Sequence, residues 1–215
     1  MVKSIKLDRY PQLPFTFMPE TGIKKTILVY GDSFADAAKA YTQGVNSDAP
    51  VNNTINSWMW FLATFLQAKI ITYGVTGGSE QFCYDLFKRT LDEPRDATII
   101  YHTRLGRPDN FTGQPRLPYS DYVEWDKLTN DSTVHLYWNS EESIYKFKQG
   151  NSFHTKYHLT HCCCHDNRIL EDKDFQFDEL LQNTCANHTT QPGNLLLAIR
   201  LAQHFKNKLK WETIF

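Results

Sequence analysis

Short apolar runs alternate along this chain with longer segments in which apolar residues recur every three or four positions. Runs of the first kind, rich in β-branched and aromatic residues, are typical of buried strands, and the second pattern is typical of helices with one buried side. Strands are predicted at residues 26–30, 69–73, 97–102 and 133–138. This alternation predicts an α/β fold with a largely parallel sheet.

Helices are predicted between these strands from apolar spacing and from residues that suit helix ends. Asn56 or Ser57 is predicted to cap a helix that runs to about residue 67, and Ser79 is predicted to cap another that runs to about residue 91. The clearest helix begins near Thr190 and has Pro192 in its first turn, where proline is tolerated. The alanine-rich residues 35–40 are also predicted to begin a helix.

The composition limits both the architecture and the partners. The chain has 215 residues, which predicts a single domain over 1–215, with an N-terminal extension at 1–24 and a long loop insertion at 104–131. Its 23 basic and 24 acidic residues nearly cancel, so we do not expect nucleic acid as a partner. The longest apolar stretch, residues 58–66, is too short to span a bilayer.

The N-terminal residues and the cysteines bear on the cellular compartment. The first eight residues lack the apolar segment of a signal peptide. The five cysteines are an odd number, and three of them are consecutive, which is typical of reduced thiols rather than of a disulfide framework. The sequence therefore predicts a cytoplasmic protein, and it leaves a viral origin and the oligomeric state open.

Three short motifs carry the residue types that nucleophilic ester hydrolysis requires. Residues 31–34 (Gly-Asp-Ser-Phe) follow the first strand, residues 74–79 (Gly-Val-Thr-Gly-Gly-Ser) follow the second, and residues 188–194 lead into the last helix. Loops after neighbouring parallel strands emerge at one edge of the sheet, where open α/β folds bind ligands. Hydrolysis of this kind needs a hydroxyl, a base and donors aimed at the oxyanion.

These motifs, in this order, resemble those of the SGNH (GDSL-type) hydrolases. The resemblance implies a three-layer α/β/α fold with a mainly parallel, flavodoxin-like five-stranded sheet. It further implies that Ser33 is the nucleophile and His188 its base, and that the backbone amides of Ser33 and Gly77 belong to the oxyanion hole. No cofactor is implied.

The histidine motif departs from the family pattern. The family places an aspartate three residues before the histidine, where this chain has Cys185. A thiol cannot orient an imidazole and stabilise its charged form as a carboxylate does. The candidate orienting groups for His188 are therefore Cys185 itself, Asp178 with the neighbouring Asp174 and Glu179, or a main-chain carbonyl.

The segment after the third strand is the second departure. The family's third oxyanion donor is an asparagine at this point, and Arg104 stands roughly in its place. Asn110 is a less well aligned alternative. Arginine can stabilise an oxyanion, but its fixed charge also suits a carboxylate or phosphate on a substrate.

A cluster of histidines and cysteines admits two interpretations. It comprises His154, His158, His161, His165 and the three cysteines at 162–164. On a helix the histidines would share one face and suit a zinc ion, but three adjacent cysteines cannot easily all face one metal. Buried cysteine packs well in a strand. We therefore predict a fifth strand over residues 158–164 and no metal site.

The sequence predicts a serine hydrolase for a small acyl or acetyl ester, with an acetylated sugar as one candidate substrate. The two departures favour an alternative, a catalytically degraded carbohydrate- or ligand-binding module on the same fold. A metal-dependent enzyme built on the histidine cluster is the third hypothesis.

Overall fold

The computed structural model describes residues 14–19, 22–32, 35–37, 57–102, 124–125, 127–129, 132–139, 155–160 and 191–214. Six strands and three helices are the main elements of these residues, and residues 124–125 and 127–128 are also helical. The strands are β1 (Phe15–Phe17), β2 (Lys25–Gly31), β3 (Ala68–Thr72), β4 (Ala97–His102), β5 (Thr133–Asn139) and β6 (Thr155–Thr160). The helices are α1 (Trp58–Leu66), α2 (Glu80–Arg89) and α3 (Gln191–Leu209). None of these described helices combines the length and apolar content that a membrane span requires.

All six strands belong to one sheet, in the order β1-β3-β2-β4-β5-β6. The last five strands in this order run parallel, with Ile27 opposite Ile70 and Gly31 opposite Tyr101. Numbered along the chain, the parallel strands have the flavodoxin-like order 2-1-3-4-5, so the predicted mainly parallel sheet is confirmed. The order reverses beside β2, and the crevice at such a switch point is where open α/β folds bind ligands.

β1 is an additional strand that the hydrophobic pattern does not predict. It pairs antiparallel with β3, with Phe15 opposite Thr72, and it lies within residues 1–24, which the sequence analysis describes only as an extension. Three residues are too few to display a periodicity. This segment is a strand because it pairs with the edge of β3, and its own hydrophobic pattern does not predict it.

One face of the sheet packs against α1 and α3. The Ser57 hydroxyl accepts a hydrogen bond from the Trp60 amide at 3.1 Å and caps α1, as its position in the sequence predicts. The buried side chains of this face come from strands β1 to β5 and from both helices, and include Ile27, Val29, Ile99, Leu62, Leu201 and Phe205. Burying each such side chain contributes about 1.5–3 kcal/mol, so this face is a main source of stability.

The opposite face of the sheet packs against α2. Leu28 and Ile100 project from the strands onto Phe82 and Phe87 of the helix, and Trp125 covers the same cluster. With helices on both faces, the described elements form the three layers that the family resemblance implies.

The position of β6 corrects the prediction for the histidine and cysteine cluster. The strand covers Thr155–Thr160 rather than residues 158–164, because it pairs with β5 from Val134 opposite Thr155 onwards. His158 therefore lies in a strand, and the helical interpretation of the histidine spacing is wrong at this position. His154 and residues 161–165 lie outside the described residues.

Candidate active site at the carboxyl edge of the sheet

The first predicted motif begins at the carboxyl end of β2. Gly31 is its last residue, and a Cβ there would lie 2.8 Å from the Cβ atoms of both Ala35 and Tyr101. A side chain larger than hydrogen cannot occupy this position without moving the neighbouring backbone. Asp32 follows, and its side chain is buried. The close approach of three segments around Gly31 brings the first motif against the end of β4.

Residues 35–37 form a turn, so the predicted helix start at residues 35–40 is wrong over these three residues. The Ala35 amide donates to the Asp32 carbonyl at 3.0 Å, and the Ala35 carbonyl accepts from the Thr72 hydroxyl at 2.5 Å. The second contact engages a carbonyl oxygen that a helix would use internally. The helix propensity of alanine is overridden here by bonds to the end of β3.

The glycine loop, residues 74–79, is held against the end of β2 by main-chain bonds. The Val75 amide donates to the Gly31 carbonyl at 3.1 Å, and the Gly78 amide donates to the Val75 carbonyl at 2.9 Å. A Cβ at Gly74 would lie 2.1 Å from the carbonyl carbon of Ala35. The two motifs after β2 and β3 are therefore adjacent, as their positions after neighbouring strands predict.

Gly77 has a backbone conformation that favours glycine, and its amide has no acceptor among the residues that the structure describes. Its φ of +83° is strained for any residue with a Cβ, and the residue is buried. Among the residues that the structure describes, none accepts a hydrogen bond from the Gly77 N–H. A buried amide without such an acceptor is able to donate to negative charge that develops at the edge of the sheet.

Helix α2 begins directly after the glycine loop and adds favourable electrostatics. The Ser79 hydroxyl caps it by accepting from the Phe82 amide at 3.1 Å, as predicted. The amino end of a helix carries a partial positive charge, so an acidic side chain in its first turn is stabilised there. Glu80 occupies the first helical position.

Glu80 begins a buried chain of polar side chains that sequence reasoning missed. Its Oε2 atom lies 3.1 Å from His102 Nδ1, and His102 Nε2 lies 2.8 Å from His135 Nδ1. The planes of the two imidazole rings are nearly parallel, at an angle of 8°, and their centroids lie 5.1 Å apart. Because an ionised carboxylate can only accept, the first contact assigns a proton to His102 Nδ1. In neutral His102, Nε2 then accepts from the His135 N–H.

Strand register explains why these three residues meet. His135 lies opposite Ile100 on β4, and side chains two residues apart point to the same face, so His102 and His135 both face α2. Trp125 packs on the His102 ring at 5.1 Å. The available signal in the sequence was a histidine in each of two buried strands and an acid at the first turn of α2, but their pairing depends on the register.

Most of the predicted site residues lie outside the described residues. These are Ser33, His188, Arg104, Asn110, Asp178 and Cys185. Of the predicted site, the structure describes Gly77 and, in the first motif, Gly31 and Asp32. The meeting of Ser33 with His188, the orienting group for His188 and the third oxyanion donor all stay predictions. In the described part of the chain, no group of three or more potential ligands is arranged to hold a metal ion.

Solved structures similar to this chain are carbohydrate esterases and an acylhydrolase. A family two carbohydrate esterase from Clostridium thermocellum, solved in complex with cellohexaose, is 16% identical in sequence and has a TM-score of 0.55. The alignment covers 89% of this chain and 66% of the esterase. A family two carbohydrate esterase with a carbohydrate-binding domain from Corynascus thermopiles (Myceliophthora fergusii) is 12% identical, with a TM-score of 0.58 over 90% of this chain and 69% of that one.

A lipase/acylhydrolase from Enterococcus faecalis is 14% identical, with a TM-score of 0.54 over 86% of this chain and 96% of that one. No protein-family model and no curated protein matches the sequence. At sequence identities of 12% to 16%, the similarity to these structures is a similarity of fold.

Proposed function

We propose that this chain, which has the fold of the SGNH hydrolases, is a serine hydrolase that cleaves a small acyl or acetyl ester through an acyl-enzyme intermediate. The observation that carries the proposal is the Gly77 amide. It is buried, held at a positive φ, and without an acceptor among the described residues, at the same edge of the sheet as Asp32. These features support the role of an oxyanion donor for this amide.

In the proposed mechanism the Ser33 hydroxyl attacks the ester carbonyl and His188 takes its proton. The new C–O bond moves the carbonyl electron pair onto oxygen, where the amides of Ser33 and Gly77 donate to it. The third donor is Arg104 or Asn110. Collapse breaks the bond to the alcohol, which takes the proton from His188. Water then attacks the acyl-enzyme in the same way and releases the acid.

The group that orients His188 differs from the family pattern, because Cys185 stands where a carboxylate is usual. Asp178 is our preferred orienting group, since a carboxylate stabilises the imidazolium that forms during attack. A serine and histidine without that carboxylate would still react, at a lower rate.

An acetylated sugar is the substrate class that we propose. The similar fold of the Clostridium thermocellum carbohydrate esterase, a protein solved with cellohexaose, supports this choice. The near balance of acidic and basic residues suits a neutral substrate better than a polyanion.

The test is hydrolysis of p-nitrophenyl acetate together with labelling by a fluorophosphonate probe. We expect Ser33→Ala to lower the rate about a thousandfold or more and to abolish labelling. Ser132→Ala is the matched control, because this serine precedes the amino end of β5, at the opposite edge of the sheet from the site. A Ser33→Ala variant with unchanged activity would exclude the proposed nucleophile.

A binding module on the same fold is the second candidate, and the absence of an aspartate at Cys185 favours it. In that case the wild-type protein would bind a cello-oligosaccharide in calorimetry, while the fluorophosphonate probe labelled no serine.

A further inference from the structure

The turn at residues 35–37 and the glycine loop form one packed unit at the carboxyl edge of the sheet. Gly74 lies directly against the Ala35 backbone, where a Cβ would meet the carbonyl oxygen at 2.2 Å. The Thr72 hydroxyl donates to the Ala35 carbonyl and accepts from the Gly74 amide at 3.0 Å. These contacts fix the beginning of the loop, but they lie three residues before Gly77.

The centre of the loop is held by a carboxylate from the turn. Asp36 Oδ2 accepts a hydrogen bond from the Thr76 amide at 2.8 Å and a second from the Thr76 hydroxyl at 2.7 Å. Thr76 itself is exposed, so burial does not hold it in place. Among the described residues, Asp36 is the acceptor for both of these donors. Bonds to an ionised acceptor are about twice as strong as neutral ones.

These two hydrogen bonds hold Thr76, the residue whose backbone angles set the direction of the Gly77 amide. The Gly77 N–H belongs to the peptide group between Thr76 and Gly77, so its direction follows from the backbone angles of Thr76. Asp36 fixes Thr76 at two points, its amide nitrogen and its side chain. Glycine at a φ of +83° has wide conformational freedom and cannot hold this peptide group by itself.

We infer that Asp36 is a positioning residue of the proposed esterase, which holds the Gly77 N–H towards the oxyanion. The inference rests on the proposed function. The negative charge of Asp36 would by itself disfavour an oxyanion nearby. Its contribution is therefore the geometry of two hydrogen bonds, which distinguishes it from a carboxylate that orients His188.

Asp36→Ala should lower kcat for p-nitrophenyl acetate about tenfold and change KM less than about twofold, because a displaced oxyanion donor acts on the transition state rather than on the bound substrate. Asp36→Asn keeps an acceptor oxygen and should restore most of kcat. If the carboxylate instead oriented His188, the Asn variant would be as impaired as the Ala variant.

Thr76 provides a second route that leaves Asp36 in place. Thr76→Val removes the hydroxyl donor at constant volume and should lower kcat about threefold, whereas Thr76→Ser should not. Asp36→Ala combined with Thr76→Val should be no slower than Asp36→Ala alone, since both changes break the same contact.

Asp96→Ala is the matched control. Asp96 accepts from the Thr26 amide at 2.8 Å and pairs with Lys25 at the opposite edge of the sheet, so its loss should leave kcat unchanged. The inference is overturned if an active wild-type enzyme keeps its kcat in Asp36→Ala and in Thr76→Val, or if Asp36→Asn is as slow as Asp36→Ala. An inactive wild-type protein, or full activity in Ser33→Ala, identifies the failure as that of the proposed function instead.

Discussion

The face of the sheet that packs on α1 and α3 is held together by aliphatic and aromatic side chains such as Ile27, Val29 and Phe205, whereas the α2 face also buries Glu80 and two histidines. The first arrangement depends on volume and shape. The second depends on the hydrogen bonds that join these polar groups, since breaking such a bond in a buried site costs about 1–3 kcal/mol.

The polar face is also the one nearest the candidate site. Glu80 adjoins the glycine loop in sequence, and His102 is the last residue of β4. The carboxyl edge of the sheet therefore combines buried polar pairs with two motifs of the proposed active site, while the apolar face supplies stability. Substitutions on each face should separate these two contributions.

The largest expected effect is on the apolar face. Phe205 is fully buried and stacks on Trp211 at 4.9 Å, so Phe205→Ala should lower the free energy of unfolding by about 4 kcal/mol through the cavity it leaves. Urea unfolding followed by tryptophan fluorescence measures this. Ile214→Ala is the control, because that side chain is 56% exposed and should change stability little. Equal losses in both variants would contradict a packed core at this end of α3.

Substitution of Glu80 should have a smaller effect that depends on chemistry rather than on volume. Glu80→Ala leaves His102 Nδ1 without its acceptor, and we expect a loss of about 2 kcal/mol. Glu80→Gln keeps a carbonyl acceptor, so it should lower the free energy of unfolding by about half as much. Thermal unfolding of both variants tests this, with Glu124→Gln on exposed surface as the control. The importance of the hydrogen bond would be refuted by a Gln variant as unstable as the Ala variant.

The smallest effect, taken over a single pH unit, concerns the one titratable group of α3 whose pKa departs from its usual value among the described residues. Burial, with a further contribution from Lys208, lowers the pKa of His204 to about 4 from 6.5. Between these values the unfolded chain binds more protons than the folded one, so stability is complete above pH 6.5 and falls as the pH drops towards 4.

We expect this loss to be about 1 kcal/mol for each pH unit over that window. Urea unfolding at a series of pH values measures it, and His204→Gln should remove the corresponding part of the slope. A slope that is unchanged in the variant would assign the pH dependence to other groups.

Individual elements show which parts of the fold the sequence predicts. β4 was predicted with its exact bounds at 97–102, since an apolar strand between a proline-containing turn and a polar segment has clear limits. The strand predicted over 158–164 lies at Thr155–Thr160 instead, because pairing with β5 sets its register. The predicted helix start at 35–40 is wrong at residues 35–37, because the Ala35 carbonyl accepts from the Thr72 hydroxyl. β1, with three residues, is too short to show a hydrophobic pattern of its own.

For the candidate site, the positions of glycine were informative because few other residues tolerate the required backbone. Gly77 was predicted from its motif, and its positive φ explains why glycine stands there. Asp36 and Thr76, by contrast, are 40 residues apart and carry no motif that pairs them.

The sequence by itself determined the alternation of strands and helices, and with it a parallel sheet whose loops gather the candidate motifs at one edge, because hydrophobic periodicity is a local property. Only the tertiary structure decided which distant polar groups meet there: Asp36 with Thr76, and Glu80 with His102 and His135. Those pairings depend on strand order and register, which place side chains from different segments within hydrogen-bond distance and which no local pattern encodes.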